Sequence, residues 1–276
     1  MSSQPEAAQP KVMPPVFKPG ANVALFVTCL VDLFRPSVGF AAVKLLEEAG
    51  CKVHVPEAQT CCGQPAYNSG DREMAVELAK QTIAAFEGFD FIVAPSGSCG
   101  GMIKHHYPQL FAEDKEWGPR AQVLAARTFE LTQFLAEQCG RDDFGARLDG
   151  HATYHDSCSS LREMNVKTAP RKLLAKVDGL KVTEMQETDA CCGFGGTFCI
   201  TFPDVSNSMA ARKVATINET GADLLLAGDM GCLMNLAGKM QRDGSKVKVR
   251  HVAEVLAGMT DAPAIGEPAI GEEARK

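Results

Sequence analysis

The sequence predicts an α/β fold made of two duplicated parallel-sheet halves. Three observations predict it: short apolar runs alternate with stretches of helical spacing, the alternation restarts near residue 150, and the cysteines repeat in register with it. Asn22 to Thr28 is an apolar strand. From Pro36 to Ala49, Val43, Leu45 and Leu46 fall at helical spacing, and the helix stops at Gly50. Lys52 to Pro56 is a second strand, which completes a βαβ unit. Asp71 is a candidate N-cap for an amphipathic helix to Phe86, and Phe89 to Ala94 is a third apolar strand ending at Pro95. Continuous apolar strands joined through helices need right-handed crossovers, and so a parallel sheet. Residues 102–140 read as mostly helical, with Leu131, Phe134 and Leu135 on one face before Gly140.

The pattern then starts again. Ala152 to His155 leads into Cys158, Pro170 to Val177 is helical, Leu180 to Met185 is a strand, Asp204 to Thr220 a helix and Ala222 to Ala227 a strand ending at Asp229. Lys246, Lys248 and Arg250 alternate with valines as the solvated face of a strand, and a last helix runs from Val252 to Met259. The expectation is two Rossmann-like halves, residues 22–148 and 149–259, related by pseudo-two-fold symmetry. Residues 1–21, with five prolines, and 260–276, where Pro-Ala-Ile-Gly-Glu occurs twice, are expected to be disordered.

Composition narrows the function. The 276 residues are 45% hydrophobic and 22% charged, which is ordinary for a soluble globular protein. A net charge of −6 disfavours nucleic acid or an anionic membrane surface as the main partner, since both demand clustered Lys and Arg. The proline-rich start has no basic segment followed by an apolar run, so a signal peptide is not expected. The longest apolar stretch, Val23 to Val31, is too short to be a transmembrane segment. The expected location is the cytoplasm, where thiols stay reduced. A chain of this length needs no disulfides for stability, so its 11 cysteines call for metal binding or redox chemistry.

Eight of those cysteines form two matching sets. Cys29, Cys61-Cys62-Gly63 and Cys99 in the first half correspond to Cys158, Cys191-Cys192-Gly193 and Cys232 in the second, at offsets of 129, 130, 130 and 133 residues. Chance would give on the order of 0.04 Cys-Cys-Gly tripeptides at this composition, and there are two, in register. Each cysteine follows the carboxyl end of a strand, the edge where open α/β sheets bind ligands, so each set can converge on one point. Four converging thiolates make a metal site. Structural zinc usually draws on close C-x₂₋₄-C knuckles, which are missing here. A vicinal pair suits a multi-iron cluster better than a single ion, because each thiolate can take its own iron. An iron–sulfur centre is therefore favoured, with zinc or a catalytic dithiol as the alternatives. Ser96-Gly97-Ser98-Cys99-Gly100-Gly101 and Gly231-Cys232 lie just before predicted helices, where free N–H groups can donate to such a centre, and Gly63, Gly193, Gly195 and Gly196 let the backbone approach it, although turn punctuation explains these glycines equally well.

Two copies of a Cys, Cys-Cys-Gly, Cys pattern on a duplicated α/β chain resemble the cysteine-rich CCG-domain family, which includes the B subunit of heterodisulfide reductase and iron–sulfur subunits of several respiratory oxidoreductases. The resemblance covers about residues 22 to 259 and includes Cys61-Cys62-Gly63-Gln64-Pro65-Ala66 and Cys191-Cys192-Gly193-Phe194-Gly195-Gly196-Thr197-Phe198. It implies an iron–sulfur electron-transfer subunit of a cytosolic complex that oxidises L-lactate to pyruvate, with a ferredoxin-type iron–sulfur partner and a third small subunit. It also implies one [4Fe–4S] cluster per half. In the heterodisulfide reductase branch the third block is C-x-x-C; here Ser96 and Asp229 stand in place of its first cysteine. Four cysteines per half suffice for a cubane cluster, and a non-cubane form would need Ser96 or Asp229 as an oxygen ligand. A disulfide-cleaving subunit, a subunit for another 2-hydroxy acid or for glycerol phosphate, and a zinc-stapled interaction protein are the alternative functions.

Other residues near the sets have blander readings. Cys199 could be a spare ligand or resolving thiol, but a structural cysteine is the simpler assignment. Cys51 and Cys139 read as core. His155, three residues before Cys158, could ligate or donate to a cluster, but Phe26 holds its counterpart position and a strand-end histidine satisfied by backbone is the simpler reading. His105 and His106 follow Cys99 and face a partner or water. Arg35, Arg162 and Arg212 could clamp a carboxylate, with surface ion pairing the commoner fate. No phosphate-binding or dinucleotide motif and no nucleophile elbow occurs, so the chain is expected to pass electrons without holding an organic hydride carrier.

Overall fold

A computed structural model describes residues 12–267. One sheet takes β1 (Asn22–Leu25), β2 (Lys52–His54), β3 (Phe91–Ala94) and β4 (Thr128–Glu130) in the order β2-β1-β3-β4. The other takes β5 (Arg147–Tyr154), β6 (Asp178–Val182), β7 (Leu224–Ala227) and β8 (Lys248–His251) in the order β6-β5-β7-β8. Every pairing is parallel, and Ala24 opposite Ile92 is matched by Ala152 opposite Leu224. The duplicated Rossmann-like α/β architecture that the sequence predicts is present.

Strand alternation explains where the core lies. Ala24, Phe26, Ile92 and Ala94 point to one face of the first sheet and pack with Ile83, Phe86 and Tyr107. Val23, Leu25, Phe91 and Val93 point to the other face, in one continuous cluster with Ala152, Tyr154, Leu225 and Val249 of the second half. Each fully buried Leu, Ile or Phe contributes about 1.5–3 kcal/mol, so this shared cluster ties the halves together. The helix Gly97–Gly101 reinforces it by lying directly on the helix Cys158–Arg162. A Cβ at Gly97 would stand 2.6 Å from the backbone N and Cα of Ser160, an approach that only glycine permits.

Several expectations need correction. The stretch 102–140 is mostly helical, but it also contains β4, a three-residue strand fully buried beside β3. The ends are ordered further than expected. Phe17 packs on Phe91 and Phe134, with ring centroids 6.1 and 5.7 Å away. At the other end the Ile265 N–H donates to the Val249 carbonyl at 2.8 Å, Arg250 Nη2 donates to the Ala262 carbonyl at 2.7 Å, and Ala264 is buried. The physical reason is that β8 is an edge strand, and residues 260–267 satisfy part of its free edge. The expected disorder of residues 1–11 and 268–276 lies outside the described residues.

Candidate metal centre

The eight matched cysteines sit beyond the carboxyl ends of the strands, and three local devices place them. Cys29 and Cys158 each open a short helix, Cys29–Phe34 and Cys158–Arg162. A hydroxyl caps each one: Thr28 Oγ1 accepts from Val31 N at 3.3 Å, and Ser157 Oγ from Ser160 N at 3.2 Å. Cys99 and Cys232 lie in the first turns of Gly97–Gly101 and Met230–Arg242, capped by Ser96 and Asp229. The vicinal pairs turn on left-handed glycines, Gly63 at φ +82° and Gly193 at φ +86°, and a Cβ at Gly193 would meet the Ser206 carbonyl at 2.6 Å. The carbonyl of each second cysteine is then pinned: Tyr107 Oη donates to Cys62 O and Asn235 Nδ2 to Cys192 O, both at 2.8 Å.

Both sets come together. In the first half Cys29 Sγ is 3.9 Å from Cys61 Sγ, and Cys62 Sγ is 3.4 Å from Cys99 Sγ. Cys29 donates to Cys61, which pushes the Cys61 thiol far below its ordinary value, with Cys62 and the Gly63 N–H assisting, while the Cys29 thiol is pushed up. In the second half Cys158 bonds Cys191, which in turn accepts from Gly193 N at 3.4 Å, and Cys192 bonds Cys232. The bond to Cys191 is the main reason that the Cys158 thiol is raised. All eight thiols are free. The donor set of the first half is soft and all-sulfur, its thiols approach one another in two close pairs, and the Cys61 thiol is shifted toward thiolate, the form that ligates metal. These residues fit an iron–sulfur group.

The halves differ in what surrounds the thiols. A cavity of about 200 Å³ opens over Cys29, Cys61, Cys62 and Cys99, and its far wall is Phe194, Thr197, Ile200 and Met230 of the second half. The two residues weighed as oxygen ligands, Ser96 and Asp229, are engaged with each other. Ser96 Oγ donates to Asp229 Oδ2 at 3.0 Å, the Ser98 N–H donates to the same oxygen at 3.1 Å, and Asp229 Oδ1 caps Gly231 N. Cys199 lies apart, its thiol donating to the Gly196 carbonyl at 3.4 Å. Cys51 and Cys139 bond one another, which lowers the first thiol and raises the second. Arg35 pairs with buried Glu254 at 2.8 Å and Arg212 with Glu187, so neither points at the thiols, and Arg162 is exposed. His105 bonds the Glu163 carbonyl, and His106 lies 3.6 Å from the Glu163 carboxylate.

His155 departs from its expected role. It is fully buried, and its one backbone contact, with Thr188, is too poor in geometry to satisfy either ring nitrogen. One ring nitrogen and the Sγ atoms of Cys192 and Cys232 all lie within 4.8 Å of one another. Burial, helped by the charge of Lys213, drives its pKa down to about 3, so the imidazole is neutral. Sequence reasoning also missed Tyr107, Asn235 and Lys213. Lys213 is buried and donates to the Glu187 and Thr188 carbonyls, just ahead of the second Cys-Cys-Gly loop. A signal for it existed: Ser206, Ala210, Lys213, Val214 and Ile217 form the buried stripe of one helix, Pro203–Glu219.

Comparison with known proteins agrees with this architecture. The cysteine-rich domain family, CCG, matches residues 23–104 and, a second time, residues 152–237. The lactate utilization protein A of Anoxybacillus flavithermus is 51% identical over 85% of this chain and 98% of its own length. That of Macrococcus caseolyticus is 52% identical over 87% and 98%. Among solved structures, a hypothetical protein from Helicobacter pylori superposes with a TM-score of 0.64 at 14% identity, covering 90% of this chain. The chain spans about half the length of that structure, which shows the fold alone. Among the described residues no helix is long and apolar enough to cross a membrane. With both copies of the motif matched and half of the aligned residues identical to these relatives, the chain belongs to the cysteine-rich CCG-domain family.

Proposed function

We propose that this chain is an iron–sulfur electron-transfer subunit of a cytoplasmic complex that oxidises L-lactate to pyruvate. The observation that supports it most is the convergence of two sets of four free thiols, each at the carboxyl edge of its own sheet. The substrate comes from the relatives, which are named for lactate utilization. Cys29, Cys61, Cys62 and Cys99 would hold one [4Fe–4S] cluster, and Cys158, Cys191, Cys192 and Cys232 the other; such a group supplies one-electron carriage. Lactate oxidation releases two electrons and two protons, so the partners are a ferredoxin-type iron–sulfur subunit and a third small subunit able to handle substrate.

The chain's own residues set the conditions. Cys62, Cys99, Cys192 and Cys232 are buried, which keeps water from the inner side of each site, whereas Cys29, Cys61, Cys158 and Cys191 are half-exposed on the outer side. Tyr107 and Asn235 hold the loop carbonyls away from the thiols. The half-exposed thiols of the first half border the open cavity, which supports this side as the one that a redox partner would approach. The test is iron, sulfide and zinc content of anaerobically purified protein, with EPR spectra before and after dithionite. Iron with matching sulfide and a dithionite-dependent signal is the expected result; zinc without sulfide would overturn the proposal and leave an interaction module.

A further inference from the structure

We propose that His155 is a metal ligand of the second-half centre, taking one iron in place of one of the four thiols, so that the two centres are chemically different. The inference rests on the iron–sulfur reading above and adds a nitrogen donor that the repeat pattern does not contain. The imidazole stands at the end of β5, and one of its ring nitrogens shares a space less than 4.8 Å across with Cys192 Sγ and Cys232 Sγ. Both ring nitrogens are buried, and the contact they have, with the Thr188 backbone, falls short of a well-formed hydrogen bond, a costly arrangement for a polar group unless something absent from the polypeptide completes it.

The first half supplies the control. Phe26 occupies the matching position, three residues before Cys29, and its ring is buried among Phe86, Ile83 and Ala94. The first half therefore offers four thiols under an open cavity. The second offers four thiols and one imidazole, with buried Lys213 near enough for its charge to act on the ring. Asp229 does not compete for the role, because its carboxylate is used by Ser96, Ser98 and Gly231. A mixed nitrogen and sulfur ligand set distinguishes one centre from the other in ways that spectroscopy reads directly.

The experiment is pulsed EPR of the dithionite-reduced protein, with natural-abundance histidine and with ¹⁵N-histidine, in the intact chain and in Cys62→Ser, where only the second-half centre remains. The expected result is a histidine nitrogen coupling of the size seen for direct ligation, converted to the ¹⁵N pattern by labelling, retained in Cys62→Ser and lost in His155→Phe. Reduced iron–sulfur signals with no histidine nitrogen coupling, or only the weak coupling of a hydrogen-bonded ring, would overturn the ligand assignment and leave the function reading intact. Absence of iron and sulfide would overturn that reading and this inference with it. Should His155→Phe fail to fold, the labelled Cys62→Ser protein decides the matter alone.

Discussion

Ser96 Oγ donates to Asp229 Oδ2 at 3.0 Å, and these residues hold equivalent positions in the two repeats, each three before the last cysteine of its set. The equivalent strand ends of the two halves thus meet directly. Both residues are buried, and the same carboxylate caps its own helix while accepting the Ser98 N–H of the other half. Asp229→Ala leaves those donors unsatisfied and should cost about 2 kcal/mol. Urea unfolding measures it; a loss below about 0.5 kcal/mol would show that the cross-half bond carries little weight.

Glycine at 97 is required by contact, not by φ. Gly97→Ala forces the helix Gly97–Gly101 off the backbone of Ser160 and should destabilise by several kcal/mol, at the upper end of single-site effects. Gly88→Ala, with nothing within 4 Å of the new Cβ, should stay within about 0.5 kcal/mol of the parent. Thermal melts of the two variants make the comparison.

Glu130 gives the fold a pH dependence. Burial pushes its carboxyl up to about 7, even though Thr132 and Gln133 donate to it. A folded-state value above the unfolded one means that the native state holds the proton more tightly, so this contribution is present at low pH and is lost as pH rises from about 4.5 to about 7. The shift is worth at most about 3 kcal/mol. Unfolding free energies across that range should fall with pH in the parent and lose that slope in Glu130→Gln.

Cys51 and Cys139 test whether thiols outside the repeat share the metal. They bond each other and touch neither set, so Cys51→Ser and Cys139→Ser should leave the iron content unchanged and cost roughly 1 kcal/mol of stability. Loss of iron from either would place that cysteine among the ligands.

What the sequence made legible follows from the physics of each element. Regular βα alternation and the offset cysteines were enough to place all eight thiols at two strand-edge sites, because strand ends and following helices are local features. β4 escaped notice because Thr128–Glu130 is only three residues long and lies between helices, one of which its own glutamate caps. The packing of residues 260–267 was hidden because it depends on an edge strand whose exposure is a property of the sheet order. His155 was misread for a similar reason. Its neighbours Cys192, Lys213 and Cys232 come from 37, 58 and 77 residues away, and only the folded chain brings them to its ring.

Iron and sulfide per chain in the parent, Cys62→Ser and Cys192→Ser test the central claim most directly. Two four-iron centres on separate ligand sets predict about eight irons in the parent and about four in each variant, with different EPR signals surviving in the two. Loss of all iron from either single substitution would contradict independent centres, and zinc in place of iron and sulfide would contradict the redox account altogether.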